Sequence, residues 1–338
     1  MSDEENRWKW NAFVEIGNTI HKMRGQVRIL QAKTGLIFAE QLIESGFIYL
    51  SEERYELYTT LLPKIADYLD GNAGIIQAAV REHFLAQHCK AGLDESLFAI
   101  SFFPKKSGIQ TGFTCDVSNG TQSVRYYIKT HQYGPTEDNI KSIKPPDRKE
   151  LFVYKLLHHI GIGPQPHFII PSHGTKKTIY IATMDCHLAL LSRLTKDTAN
   201  NNALLQLDLI SRILCLRDCT NNSSNCGQVG EKAMIVDFRI ETQSWGYAQA
   251  DILNKFYEGS SELNYTGLME VAVKSPNAVK KDIMKKSLQD WKLLESIERA
   301  ELEIEGLVKS CGGKMRFEDD LQQYVGDLKA TVEVLMKS

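Results

Sequence analysis

The spacing of apolar residues changes period near residue 95, and that change restricts the fold more than any other feature of the chain. Before it, Phe13, Ile16, Ile20, Met23, Val27 and Leu30 recur three and four apart, the stripe expected for one buried face of a first helix. Ser51 is placed to cap a second helix bearing Tyr55, Tyr58, Leu61, Leu62 and Ile65, with a kink expected at Pro63. The stretch Gly71-Asn72-Ala73-Gly74 reads as a break, followed by a third helix over about 75–90. After residue 95 the period is two. An apolar run at 97–103 and a second at 112–117 precede Ser118-Asn119-Gly120, a hairpin signal. In the next run Val124, Tyr126 and Ile128 face one way while Arg125, Tyr127 and Lys129 face the other. Such a chain is neither all-helical nor all-strand, so α+β is the class the pattern predicts.

The rest of the sequence continues the mixture. Residues 132–147 read as a loop, and 147–160 as a helix that starts at an acidic cap and stops at Gly161-Ile162-Gly163-Pro164. Two strand-like runs, 167–171 and 178–183, lead into Met184-Asp185-Cys186. A strongly apolar helix over 203–214 ends at Leu216-Arg217-Asp218, then a polar loop spans 219–227. A short hairpin turns at Gly230-Glu231-Lys232, and its second arm runs into Asp237-Phe238. Beyond this the chain is mainly helical, ending in the stripe Phe317, Leu321, Tyr324, Leu328, Val332 and Leu335, read as a core-packing helix with a partner-binding helix as the alternative. Four segments follow: helices over 1–95, a sheet over 96–185, helices with a hairpin over 186–275, and further helices over 276–338.

Composition narrows the function classes. A net charge of −2 and 43% apolar residues suit an ordinary globular protein and speak against a nucleic-acid partner. The lysines Lys280, Lys281, Lys285 and Lys286 read as a solvated helix face rather than a binding surface. The acidic N-terminus carries no secretory pattern, and no run approaches the roughly 18 apolar residues of a membrane span, so no membrane partner is expected. Seven dispersed cysteines favour reduced thiols and a cytoplasmic location, with the nucleus also open. Gly-x-Ser-x-Gly, His-Glu-x-x-His and Walker loops do not occur.

One ordered set of charges carries chemistry. Lys129 ends a strand, Glu150 lies on the following helix, Asp218 follows a long apolar helix, and Asp237 ends a hairpin. A lysine, a helix glutamate and two separated aspartates in this order are what phosphoryl transfer from a Mg²⁺-nucleotide requires.

On these residues the region from about 97 to 270 resembles the protein kinase-like superfamily, which includes atypical, lipid and small-molecule kinases. The resemblance implies a two-lobed fold, with a small antiparallel sheet lobe and a helical lobe, extended here by N- and C-terminal helices. It implies ATP and Mg²⁺ as cofactors and a protein or small-molecule acceptor. Lys129 would bridge two phosphates and be held by an ion pair with Glu150, and Asp237 would coordinate Mg²⁺. Asp218 would take the proton of the incoming hydroxyl, and Asn225, or its competitor Asn222, would hold a second metal ion. Gly108 would belong to the phosphate-covering loop, beside Lys105 and Lys106, and Met184 would line the nucleotide site.

The chain also departs from the family pattern. Leu216 stands where His or Tyr is usual, Arg239 replaces the Gly after Asp-Phe, and Gly108 with Gly112 make a sparse phosphate loop. Tyr127 occupies a position normally kept small against the base, and no Ala-Pro-Glu segment follows Asp237. Two readings therefore stay open: an atypical phosphotransferase, or a pseudokinase acting as an interaction scaffold.

Overall fold

A computed structural model describes residues 3–23, 25–104, 112–134, 144–171, 178–219, 222–240, 249–259, 267–313, 315–318 and 320–337. Three helices open the chain: α1 (Asp3–Thr19), α2 (Gly25–Glu44) and α3 (Glu52–Lys90). Phe13, Ile16 and Ile20 of the first stripe are buried against Leu42 of α2 and Tyr58, Leu61 and Ile65 of α3. Val27 and Leu30 leave that stripe. The chain turns through a short 3-10 segment at Ile20–Lys22, α2 starts in a new direction, and both side chains are exposed. The expected break at 71–74 is also absent. Capped by the Ser51 side chain, which accepts from Arg54 N, α3 runs unbroken through Pro63 and the two glycines to Lys90. Tertiary docking explains this, since helix stability comes mostly from packing rather than propensity. One end of α3 completes the three-helix core, while Ile76, Val80 and Phe84 at the other end cover a sheet.

That sheet is antiparallel and five-stranded, in the order β1 (Ala99–Pro104), β2 (Gly112–Ser118), β3 (Ser123–Thr130), β5 (Tyr180–Met184), β4 (Pro166–Ile169). The β2–β3 hairpin turns where the sequence predicts. Asn119 Oδ1 accepts from Thr121 N and Gln122 N, and Gly120 takes a φ of 87°, which costs glycine nothing. The predicted alternation on β3 holds: Tyr126 and Ile128 lie against α3, in one cluster with Phe84, Cys115 and Ala182. Across the strand pair, Asp116 accepts both Nε and Nη2 of Arg125, at 2.7 and 2.8 Å, and pins the register. Gly112 sits opposite Lys129, where a Cβ would stand 2.0 Å from the Ile128 carbonyl oxygen. A side chain there would push β2 off the strand that carries the lysine.

Helix α4 (Arg148–His159) connects β3 to β4 and forms by local rules. Asp147 caps it by accepting from Lys149 N at 2.9 Å, and Gly161, at φ 74°, ends it while Ile162 N and Gly163 N donate to Leu157 O. Its Leu151, Phe152, Tyr154 and Leu157 are buried in the largest core. That core continues through α5 (Asn201–Ile213), the hairpin β8 (Cys226–Val229) and β9 (Lys232–Ile235), and α6 (Gln249–Glu258) to α10 (Leu321–Lys337). Between these last two lie the short α7 (Leu268–Ala272), α8 (Asn277–Trp291) and α9 (Leu293–Ser310). Strand β6 (Ala189–Leu190) joins β8, and β7 (Leu216–Arg217) pairs with β10 (Arg239–Ile240) as a separate ribbon. The terminal stripe Leu321, Tyr324, Leu328, Val332 and Leu335 is buried in this core.

One lysine departs from its expected place. Lys280 is buried, and its ammonium donates to the carbonyls of Phe256 and Tyr257 at 2.9 Å each, closing the C-terminal end of α6. A solvated face is thus the wrong description of Lys280, because a cation satisfies the free carbonyls and the negative dipole end there. No helix among the described residues is long and apolar enough to cross a membrane.

Candidate functional site

The sheet face opposite α3 meets the largest core at α4 and the β8–β9 hairpin, and five sequence-selected residues meet at this junction. Lys129 reaches it from β3 and forms an ion pair with Asp237, 108 positions later. Asp237 follows β9, and its place is set by backbone bonds: Val236 N and Asp237 N both donate to Asn225 O, at 2.9 and 3.3 Å. Asp237 Oδ1 also accepts from Phe238 N at 2.9 Å.

Glu150 lies in the first turn of α4, fully buried beside this pair. Its Oε2 accepts from Gln132 N at 2.8 Å, while Oε1 makes no hydrogen bond. The expected Lys129–Glu150 ion pair is not formed: the lysine is on Asp237 instead. The physical reason is solvation. Asp237 keeps 43% of its side chain exposed and carries charge at lower cost, whereas burial pushes the Glu150 carboxyl up to about 7 against the pull of Lys129 and of Gln132 N–H. Burial also works against the Lys129 charge. Tyr154, Asp237 and Glu150 together outweigh it and hold the ammonium protonated beyond the ordinary lysine range.

Tyr154 joins this group although the sequence did not single it out for chemistry. It stands one helical turn after Glu150, on the same face of α4, and its ring packs at a tilt of 44° against Phe238 with centroids 4.5 Å apart. The Lys129 ammonium lies 5.4 Å from the centroid of that ring. The hydroxyl is buried and makes no hydrogen bond of standard length. The available signal was the i, i+4 spacing from Glu150, which the apolar neighbours of Tyr154 concealed.

Asp218 and Asn225 form the other end of the site. Asp218 adopts a left-handed conformation, φ 62°, which aspartate tolerates better than most side chains. Asn225 Nδ2 donates to Asp218 O at 2.6 Å, so one asparagine ties the Asp218 backbone to the Asp237 backbone. Asn222, the alternative, is exposed, and its side chain accepts from Ser224 N within its own turn. The Asp218 carboxylate is paired with Arg239, Oδ2 to Nε 2.8 Å.

Other sequence-selected residues fall differently. Gly108, with Lys105 and Lys106, lies outside the described residues. Met184 pairs with Tyr126, which turns its side chain toward α3 and away from Lys129, so it offers backbone rather than side chain to the junction. Thr183 takes the junction face instead, opposite Tyr127, and its hydroxyl donates to Tyr127 O at 3.5 Å. Tyr127 is 49% exposed on the Lys129 face, with burial of the rest pushing its phenol up.

Among the described residues no group of three or more His, Cys, Asp or Glu side chains is arranged to hold a metal ion. An ion that arrives with a nucleotide needs less, because phosphates and water supply most of its ligands. Asp237, half-exposed, and the side-chain oxygen of Asn225 are the oxygens that fit this demand. Comparisons with protein-family models and with curated proteins found no match for this chain.

Proposed function

We propose that the chain is a two-lobed, kinase-like phosphotransferase that takes ATP with Mg²⁺. The observation that carries this reading is the meeting of Lys129 with Asp237 beside buried Glu150, in a junction whose other end holds Asp218 and Asn225. In this reading the Lys129 ammonium receives phosphate oxygens, and Asp237 with Asn225 supplies protein oxygens to the ion. Mg²⁺ so held would neutralise charge on the phosphates. Asp218 accepts the proton of the attacking hydroxyl. The orphaned Glu150 oxygen supports the assignment, since it is the acceptor the Lys129 ammonium would gain when a cation takes Asp237.

Thermal unfolding with ATP and Mg²⁺ tests the reading. A real site near saturation stabilises the protein by about 2–3 kcal/mol, and Asp237→Asn should remove the dependence on Mg²⁺. Absence of any shift, with or without Mg²⁺, overturns it.

A second reading, a pseudokinase that serves as an interaction scaffold, is favoured by the Asp218–Arg239 pair and by Tyr127. The first occupies the proposed base and the second puts a phenol on the nucleotide side. Nucleotide binding without any transfer to water or to an added alcohol would select it.

A further inference from the structure

The ribbon of β7 and β10 places Arg217 and Arg239 directly opposite each other. Their neighbours Leu216 and Ile240 are buried, so both arginines share the outward face, immediately beside Asp218. Asp218 pairs with Arg239, and both partners remain partly exposed, 36% and 60%. An ion pair in such a position competes weakly with a new anion, and a guanidinium prefers the planar fork of a phosphate or carboxylate. Asp218 is the less mobile partner, because its left-handed backbone and the Asn225 bond hold it.

We propose that Arg239, with Arg217 opposite, receives an anionic group carried by the phosphoryl acceptor itself, and that this contact draws the guanidinium off Asp218. The inference rests on the phosphotransferase reading and names its substrate class: an alcohol bearing a phosphate or carboxylate. Without the acceptor, Asp218 is masked, which protects the nucleotide from water. With it, the acceptor oxygen bonds to the terminal phosphorus of ATP, the bond to the nucleoside diphosphate breaks, and the hydroxyl proton passes to Asp218.

Titration of the full chain with inorganic phosphate, followed by calorimetry, tests this without any turnover. The wild-type protein binds phosphate, Arg239→Gln weakens it at least about tenfold, and Arg239→Lys retains some of the affinity. Asp218→Asn tightens binding, because the competing carboxylate has lost its charge. Lys274→Gln, on an exposed surface away from the junction, leaves it unchanged. A parallel acetate titration separates a carboxylate from a phosphate as the preferred group. The proposal is overturned if wild type binds neither anion, if Arg239→Gln binds like wild type, if Asp218→Asn weakens binding, or if Lys274→Gln loses as much as Arg239→Gln. A positive ATP shift alongside any of these outcomes condemns this inference alone. Loss of the ATP shift condemns the nucleotide reading beneath it, and the acceptor assignment with it.

Discussion

The two ends of the junction hold their charges under opposite conditions. At one end Glu150 and Tyr154 are buried and Lys129 is largely so, two of the buried oxygens lack hydrogen bonds, and solvation decides which carboxylate the amine joins. At the other, Asp218 and Arg239 are paired in contact with water. Burial makes the first end costly and sensitive to every charge brought near it, while the second can exchange partners at little cost.

Removing the cation at the buried end is the strongest way to break this contrast. Lys129→Met leaves Glu150 and Asp237 facing each other unopposed, and a loss of about 3 kcal/mol in urea unfolding near pH 8 is expected; a loss within error would show that the amine is solvated. The next effect depends on pH. Glu150 has its folded pKa raised from 4.5 to about 7, so the folded state binds the extra proton between those values. Stability is therefore fullest below about pH 4.5 and falls as pH rises through 7, by about 2–3 kcal/mol between pH 5 and 8 from this group. Glu150→Gln should flatten that slope, which paired unfolding curves at the two pH values would reveal. A smaller effect is expected at Tyr154→Phe. Since the hydroxyl makes no standard hydrogen bond, its removal should be neutral or stabilising by up to about 1 kcal/mol; a clear destabilisation would mean that the phenol holds the Lys129 amine. Least of all should stability respond to Arg239→Gln, within about 0.5 kcal/mol. A larger loss would move that end of the junction into the same class as the buried one.

Local chemistry made much of the fold legible. The Asp147 cap and Gly161 stop bound α4, Asn119-Gly120 turns the hairpin, and alternation on β3 assigns Lys129 its face, all by interactions spanning a few residues. Legibility failed where the deciding partner was distant. The glycines at 71 and 74 do not break α3, because its ends are held in separate cores. Lys280 looks like its exposed neighbours until α6 brings two carbonyls to it. That Thr183 rather than Met184 takes the junction face is decided only by the register of β3 with β5.

The candidate site divides along the same line. Residue order alone singled out Lys129, Glu150, Asp218 and Asp237 and predicted an α+β chain with a small antiparallel sheet, because periodicity and turn chemistry are properties of neighbours. Which carboxylate holds the lysine, that Tyr154 stands beside it, and that Arg239 covers Asp218 were decided by tertiary structure. Burial and proximity set those electrostatic choices, and neither exists until distant segments have packed.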